Sequence, residues 1–247
     1  MSGHSKWKNI MHKKEKTDAQ RAKIFTKIGR EMSVCVKEGG ADPVSNSKLR
    51  DLIAKAKANN VPNDNIERII KKAAGGGKDE YEAITYEGYG PCGVAIIVES
   101  LTDNRNRTAG DVRHYFDKYG GNLGATGCVG WMFKAQGTIV IESKGVDEDT
   151  LMEDALGAGA EDMRSEDDVF EIITTVNDLI PVEDALREKG YNILSADEDR
   201  IPDTYVTLTD EDAIKNMNKL LEMLEDDDDI LDVYHNWENC GDDDEEE

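Results

Sequence analysis

The stretch from Ile69 to Glu87, IIKKAAGGGKDEYEAITYE, decides the fold. On its N-terminal side, Ile66, Ile69, Ile70 and Ala73 recur every three to four positions and share one helical face. On its C-terminal side the pattern alternates, and Tyr81–Glu87 reads as a strand. Gly75-Gly76-Gly77 lies between them as a helix stop and a linker. A change of period across glycines predicts a helical module followed by mixed domains, an α+β chain.

Upstream, Ala22, Phe25, Ile28/Gly29, Met32 and Cys35/Val36 fall at helical spacing. Thr17 with Gln20 fits a capping box, and Gly39-Gly40 closes the segment. Asp42-Pro43 is expected to open a second helix, with Leu49, Leu52, Ile53 and Ala56 on one face, broken at Val61-Pro62-Asn63. Residues 1–16 form a polar, basic arm. Residues 1–78 are thus expected to be a basic three-helix bundle with an arm.

Downstream, Val94–Ser100 reads as a buried strand, and Thr108–Tyr119 as a helix with Val112, Tyr115, Phe116 and Tyr119 inward. From 137 the pattern runs strand (137–143), helix (148–158), strand (160–164), strand (168–175), helix (181–189), strand (192–197). That order, βαββαβ, is ferredoxin-like. Pro202–Leu208 is expected to be a further strand. Asp210 caps a helix carrying Ile214, Met217, Leu220, Leu221 and Leu224, and Ile230–Tyr234 is a last strand. The expected fold is an N-terminal three-helix bundle plus two α+β domains. Residues 79–136 and 202–238 form a discontinuous domain, 137–201 a ferredoxin-like domain inserted into it, and 239–247 an acidic tail.

Charge divides along the same line. Residues 1–78 hold 18 Lys and Arg against 8 Asp and Glu, a balance of +10, although the whole chain carries −23. A basic module on an acidic body suits a polyanionic partner. Lys23, Lys27 and Arg30, at i, i+4 and i+7, form one stripe of the first helix. Arg21 lies close to them. Arg68, Lys71 and Lys72 form a similar set on the third helix, and the arm adds Lys6, Lys8, Lys13, Lys14 and Lys16. Such arrays bind phosphates by releasing condensed counterions, and Trp7 could stack on a base or sugar. A solvated charged face is the plainer alternative. In the acidic part, Thr102–Thr108 (TDNRNRT) sets Arg105 and Arg107 beside a helix N-terminus. This suits a phosphate, although a polar capping turn explains the same residues.

Other chemistry is excluded or expected to be absent. The glycine-rich turns at 88–91 and 122–130 match neither GxGxxG nor GxxxxGK[ST], and read as tight turns. The four His and four Cys are scattered, with no CxxC and no zinc spacing. No nucleophile–base motif occurs, so no enzyme, cofactor or small-molecule substrate is expected. No apolar run approaches a membrane span, and the basic N-terminus lacks a signal-peptide core. A cytoplasmic protein, monomer favoured, is expected.

Four segments resemble the YebC family: MSGHSKWKNIMHKKEKTDAQRAKIFTKIGREM (1–32), LRDLIAKAKANNVPNDNIERIIKKAAG (49–75), YEGYGPCGVAIIVESLTDNRNRT (86–108) and GGNLGATGCVGWMF (120–133). That family includes mitochondrial translational activators of cytochrome oxidase. The resemblance implies three domains, one inserted in another, and a DNA-binding transcriptional regulator. It equally implies a ribosome-associated factor that binds ribosomal RNA and relieves stalling at difficult stretches such as consecutive prolines. It places the arm and the Lys/Arg helices on the basic surface, and Asn104–Arg107 in the central motif. A protein-binding adaptor using the acidic domains is the alternative of another class. The run Glu225–Asp229 and the tail GDDDEEE are more acidic than the family needs, and no role beyond solubility is read from them.

Overall fold

The computed structural model describes residues 18–76, 80–166 and 168–239. It is an α+β protein: a three-helix bundle, then two domains built on four-stranded sheets, the second inserted into the first. Three hydrophobic cores are grouped into two compact units, one from 133 to 201 and the other holding the bundle with the split sheet.

The bundle comprises α1 (Asp18–Gly39), α2 (Ser47–Ala58) and α3 (Asn63–Ala74). Ile28, Met32, Cys35 and Val36 of α1 meet Leu49, Leu52 and Ala56 of α2 and Ile66 and Ala73 of α3. These are the faces expected from the spacing. The second helix, however, begins at Ser47 and not at Asp42. Asp42 instead turns the chain, accepting from the Val44 N–H through its side chain. Asn46 is the cap: its Oδ1 accepts from the Leu49 N–H, and its Nδ2 donates to the Cys35 and Gly40 carbonyls. One buried amide thus ends α1 and starts α2.

The split domain has β1 (Glu82–Tyr89), β2 (Ala95–Thr102), α4 (Arg105–Lys118) and β3 (Asn122–Leu123), and resumes later with α7 (Glu211–Asp226) and β8 (Ile230–His235). Its sheet order is β3-β1-β2-β8, with β2 antiparallel to β1 and to β8. Val112 and Phe116 of α4 and Met217, Leu220 and Leu224 of α7 cover Ile96 and Val98 of β2 and Ile230. The Asp210 side chain accepts from the Ala213 N–H and caps α7. Two expectations fail here. The expected strand Pro202–Leu208 is not formed: Pro202 ends the strand before it, and residues 203–208 hold only a single parallel bridge, Val206 to Trp237, because the segment is held by Asn236 and Asn239 side chains and not by a ladder. Arg105 and Arg107 lie not in a loop but in the first turn of α4, which starts three residues earlier than Thr108, capped by Asn104.

The inserted unit contains β4 (Phe133–Glu142), α5 (Glu148–Ala158), β5 (Asp162–Glu166), β6 (Val169–Thr174), α6 (Leu179–Glu188) and β7 (Ile193–Pro202). The sheet order β5-β6-β4-β7 is that of a ferredoxin-like fold. Ile139, Ile141, Phe170 and Ile172 face Leu151, Ala155, Val182 and Leu186 of the two helices. Gly137 lets β4 and β6 approach α6, since a Cβ there would overlap the Thr174 hydroxyl and press on Leu179. Gly137→Ala should therefore lower the stability of this unit by about 1–3 kcal/mol, read as a lower denaturant midpoint. An unchanged midpoint would show that Leu179 can yield.

Candidate nucleic-acid interface

The site is built where α1 meets the turn between α7 and β8. Helix α7 ends at Asp226 because Asp227 bends the chain, its Oδ1 accepting from the Asp229 N–H at 2.8 Å. The Asp229 carboxyl group is thereby turned inward and is 6% exposed. Its Oδ1 accepts from Arg30 Nη1 at 2.6 Å. Its Oδ2 accepts from Arg107 Nη2 at 2.7 Å, from Thr108 Oγ1 at 2.7 Å and from Thr102 Oγ1 at 3.0 Å. Arg30 also donates to the Asp228 carbonyl at 2.7 Å, and Arg107 to Asp103 at 2.8 Å. Burial alone would raise the Asp229 pKa. The donors from Arg107, Thr108, Arg30 and Thr102 outweigh it and hold the group at about 2.

Further along α1, the contacts become more exposed. Lys27 Nζ donates to the Glu225 carbonyl at 2.7 Å, and Lys23 pairs with Asp226 at 2.9 Å. Tyr115 of α4 donates its hydroxyl to Asp227 at 3.2 Å. Burial and then that carboxylate push the phenol up to about 12. The result is an open cleft of about 440 Å³ lined by Lys23, Arg30, Arg107, Tyr115 and the acidic turn.

The structure therefore sorts the expected binding residues. Lys23, Lys27 and Arg30 share a stripe as the spacing implied, but they meet Glu225–Asp229 of their own chain. The acidic run is a docking turn, a role its composition does not reveal. Arg107 braces the same carboxylate from α4. Arg105 points elsewhere, 69% exposed beside Glu82 at 3.5 Å. Arg68, Lys71 and Lys72 are brought together on the exposed face of α3, with Arg68 donating to Asn65. Exposed Lys48, Lys55 and Lys57 on α2 belong to the bundle's outward charge, although the sequence pattern had not singled them out. Lys6, Trp7, Lys8, Lys13, Lys14, Lys16 and Thr17 lie outside the described residues, as do the Arg21 side chain and the tail beyond 239.

In the glycine-rich loop three N–H groups already have an acceptor within the chain. The buried Glu87 carboxylate accepts from Gly127, Val129 and Gly130 at 2.6–2.9 Å. The Trp131 indole N–H is likewise tied to the Cys128 carbonyl at 3.0 Å, leaving its ring 73% exposed.

Comparison with known proteins matches residues 5–76 to the TACO1/YebC protein N-terminal domain, and residues 81–237 to the TACO1/YebC second and third domain. The chain belongs to the TACO1/YebC family. It is 60% identical to a "Probable transcriptional regulatory protein" of Acetivibrio thermocellus, over 96% of this chain and 99% of the relative. A similarly named protein of Clostridioides difficile is 59% identical, over 93% and 97%. The crystal structure of a conserved hypothetical protein from Aquifex aeolicus superimposes with a TM-score of 0.83 at 44% identity, covering 95% of this chain and 97% of that one.

The depressed Asp229 pKa fixes a direction. A carboxylate held below its unfolded value stabilises the fold at pH above that value, and the contribution disappears as pH falls from about 4 to about 2. It amounts to about 2 kcal/mol. Asp229→Asn should lower stability by about 2–4 kcal/mol at neutral pH and flatten the dependence in that acid window, measured by urea unfolding against pH. Parallel curves for the two proteins would remove Asp229 as the hub.

Proposed function

We propose that this protein is a non-enzymatic, nucleic-acid-binding regulator of gene expression that acts in the cytoplasm. The observation carrying the reading is the exposed basic face of α3, Arg68, Lys71 and Lys72. Its residue types suit phosphate contact, and the acidic remainder of the chain favours one orientation on a polyanion. The cleft's perturbed carboxylate supports no catalytic role, because four donors within the protein consume it. The names of the relatives favour transcription as the level.

A second reading, a translation factor on ribosomal RNA, is favoured by the −23 net charge. That charge opposes loose binding along duplex DNA, whereas a shaped RNA can meet the basic face alone. Both readings require the α3 face. The variant Arg68→Gln/Lys71→Gln/Lys72→Gln should weaken binding at least about tenfold. It should also make the slope of log affinity against log salt shallower by about 2–3. Anisotropy titrations against duplex DNA, with ribosome co-sedimentation in parallel, give both quantities and identify the preferred target. An unchanged slope would show that α3 does not contact phosphate.

A further inference from the structure

Each cation of the α1 stripe is met by an oxygen of the same chain. Lys23, Lys27 and Arg30 succeed one another along the helix at about a turn apart. The acidic turn offers each its own acceptor: the Asp226 carboxylate, the Glu225 carbonyl, and the Asp228 carbonyl with the Asp229 carboxylate. The contacts differ in kind. Arg30 to Asp229 is enclosed, the two side chains being 17% and 6% exposed, and that carboxylate has three other donor residues. Lys23 to Asp226 is 35% and 51% exposed, open to water and screened by salt. Lys27 donates to the Glu225 carbonyl, a group with no net charge.

We propose that the Glu225–Asp229 turn is an internal phosphate mimic with a fixed end and a releasable end. When a nucleic-acid backbone reaches the stripe, Lys23 and Lys27 exchange Asp226 and the Glu225 carbonyl for phosphate oxygens. Arg30 stays on Asp229 and keeps the bundle docked. At Lys23 one anion replaces another, and Asp226 acts as a direct competitor. The turn thereby lowers the affinity of the stripe for any polyanion that cannot outcompete it. This inference rests on the nucleic-acid reading above and adds its regulation.

The test is a double-variant cycle on the full chain, read by anisotropy with a single-stranded RNA oligonucleotide and a DNA duplex at low salt. Asp226→Asn should tighten binding about two- to fivefold. Glu198→Gln, the same charge change at an exposed position on β7, should have almost no effect. Lys23→Ala should weaken binding, and in that background Asp226→Asn should no longer tighten it. The exchange is overturned if Asp226→Asn matches Glu198→Gln, or if its gain survives Lys23→Ala. If the wild-type chain binds neither nucleic acid, the nucleic-acid reading itself falls, and the exchange falls with it. Intact wild-type binding without an Asp226 effect removes the exchange alone.

Discussion

A single buried carboxylate, that of Asp229, holds the architecture of the larger unit together. An isolated carboxylate in that position would be strongly unfavourable. It is tolerated because donors arrive from three parts of the chain: Arg30 from the bundle, Thr102 from the end of β2, and Arg107 and Thr108 from the first turn of α4. Each donor element is positioned by its own hydrophobic face. The bundle therefore cannot rotate about α1 without leaving a buried anion one arginine short. The same requirement explains why Arg107 sits in the first turn of a helix, where a cation is disfavoured by the helix dipole. The pairing with Asp229 and Asp103 outweighs that local penalty.

The parts of the fold set by periodicity were legible in the sequence. The face of α1 from Ile28 to Val36, the face of α7 from Met217 to Leu224, and the βαββαβ order after residue 137 all follow from spacing alone. The misreadings share one cause, side chains that bond to backbone. Asn46, directly before α2, caps it through the Leu49 N–H, so the helix starts at Ser47 and not at Asp42-Pro43. Asn236 and Asn239 hold residues 204–208 extended without a ladder, so a β-like pattern produced no strand. The Asn46 cap is a local signal that competes with Asp42-Pro43, whereas Asn236 and Asn239 lie far in sequence from Thr204 and Leu208, and no local rule signals those bonds.

The candidate site was legible in its residues and not in its pairing. The stripe Lys23, Lys27, Arg30 stands out by spacing, as does the run Glu225–Asp229 by composition. What composition cannot supply is that the two are adjacent, about two hundred residues apart in the chain. Asp229 is the fifth acidic residue of that run, and nothing in the sequence separates it from its neighbours. Its burial comes from the turn that Asp227 makes, and Thr102 and Thr108 become its partners only through the packing of α4 on the sheet.

The distribution of charge then acquires a different meaning. A basic domain on an acidic body suggests separation of the two signs, with the acidic part turned away from any polyanion. In the folded unit one acidic turn instead lies against the basic helix, while Arg68, Lys71 and Lys72 of α3 stay exposed. The molecule is therefore divided by face and not by domain. One face of the bundle is neutralised internally and fixes the assembly; the other remains charged. Under the proposed reading, that division limits attraction to the outer face, so a polyanion gains contact with the inner stripe only where its shape reaches the cleft. Long-range charge would bring the partner to the bundle, and local competition at Asp226 would decide whether it stays. Selectivity for a shaped nucleic acid would then arise without any side chain that reads a base.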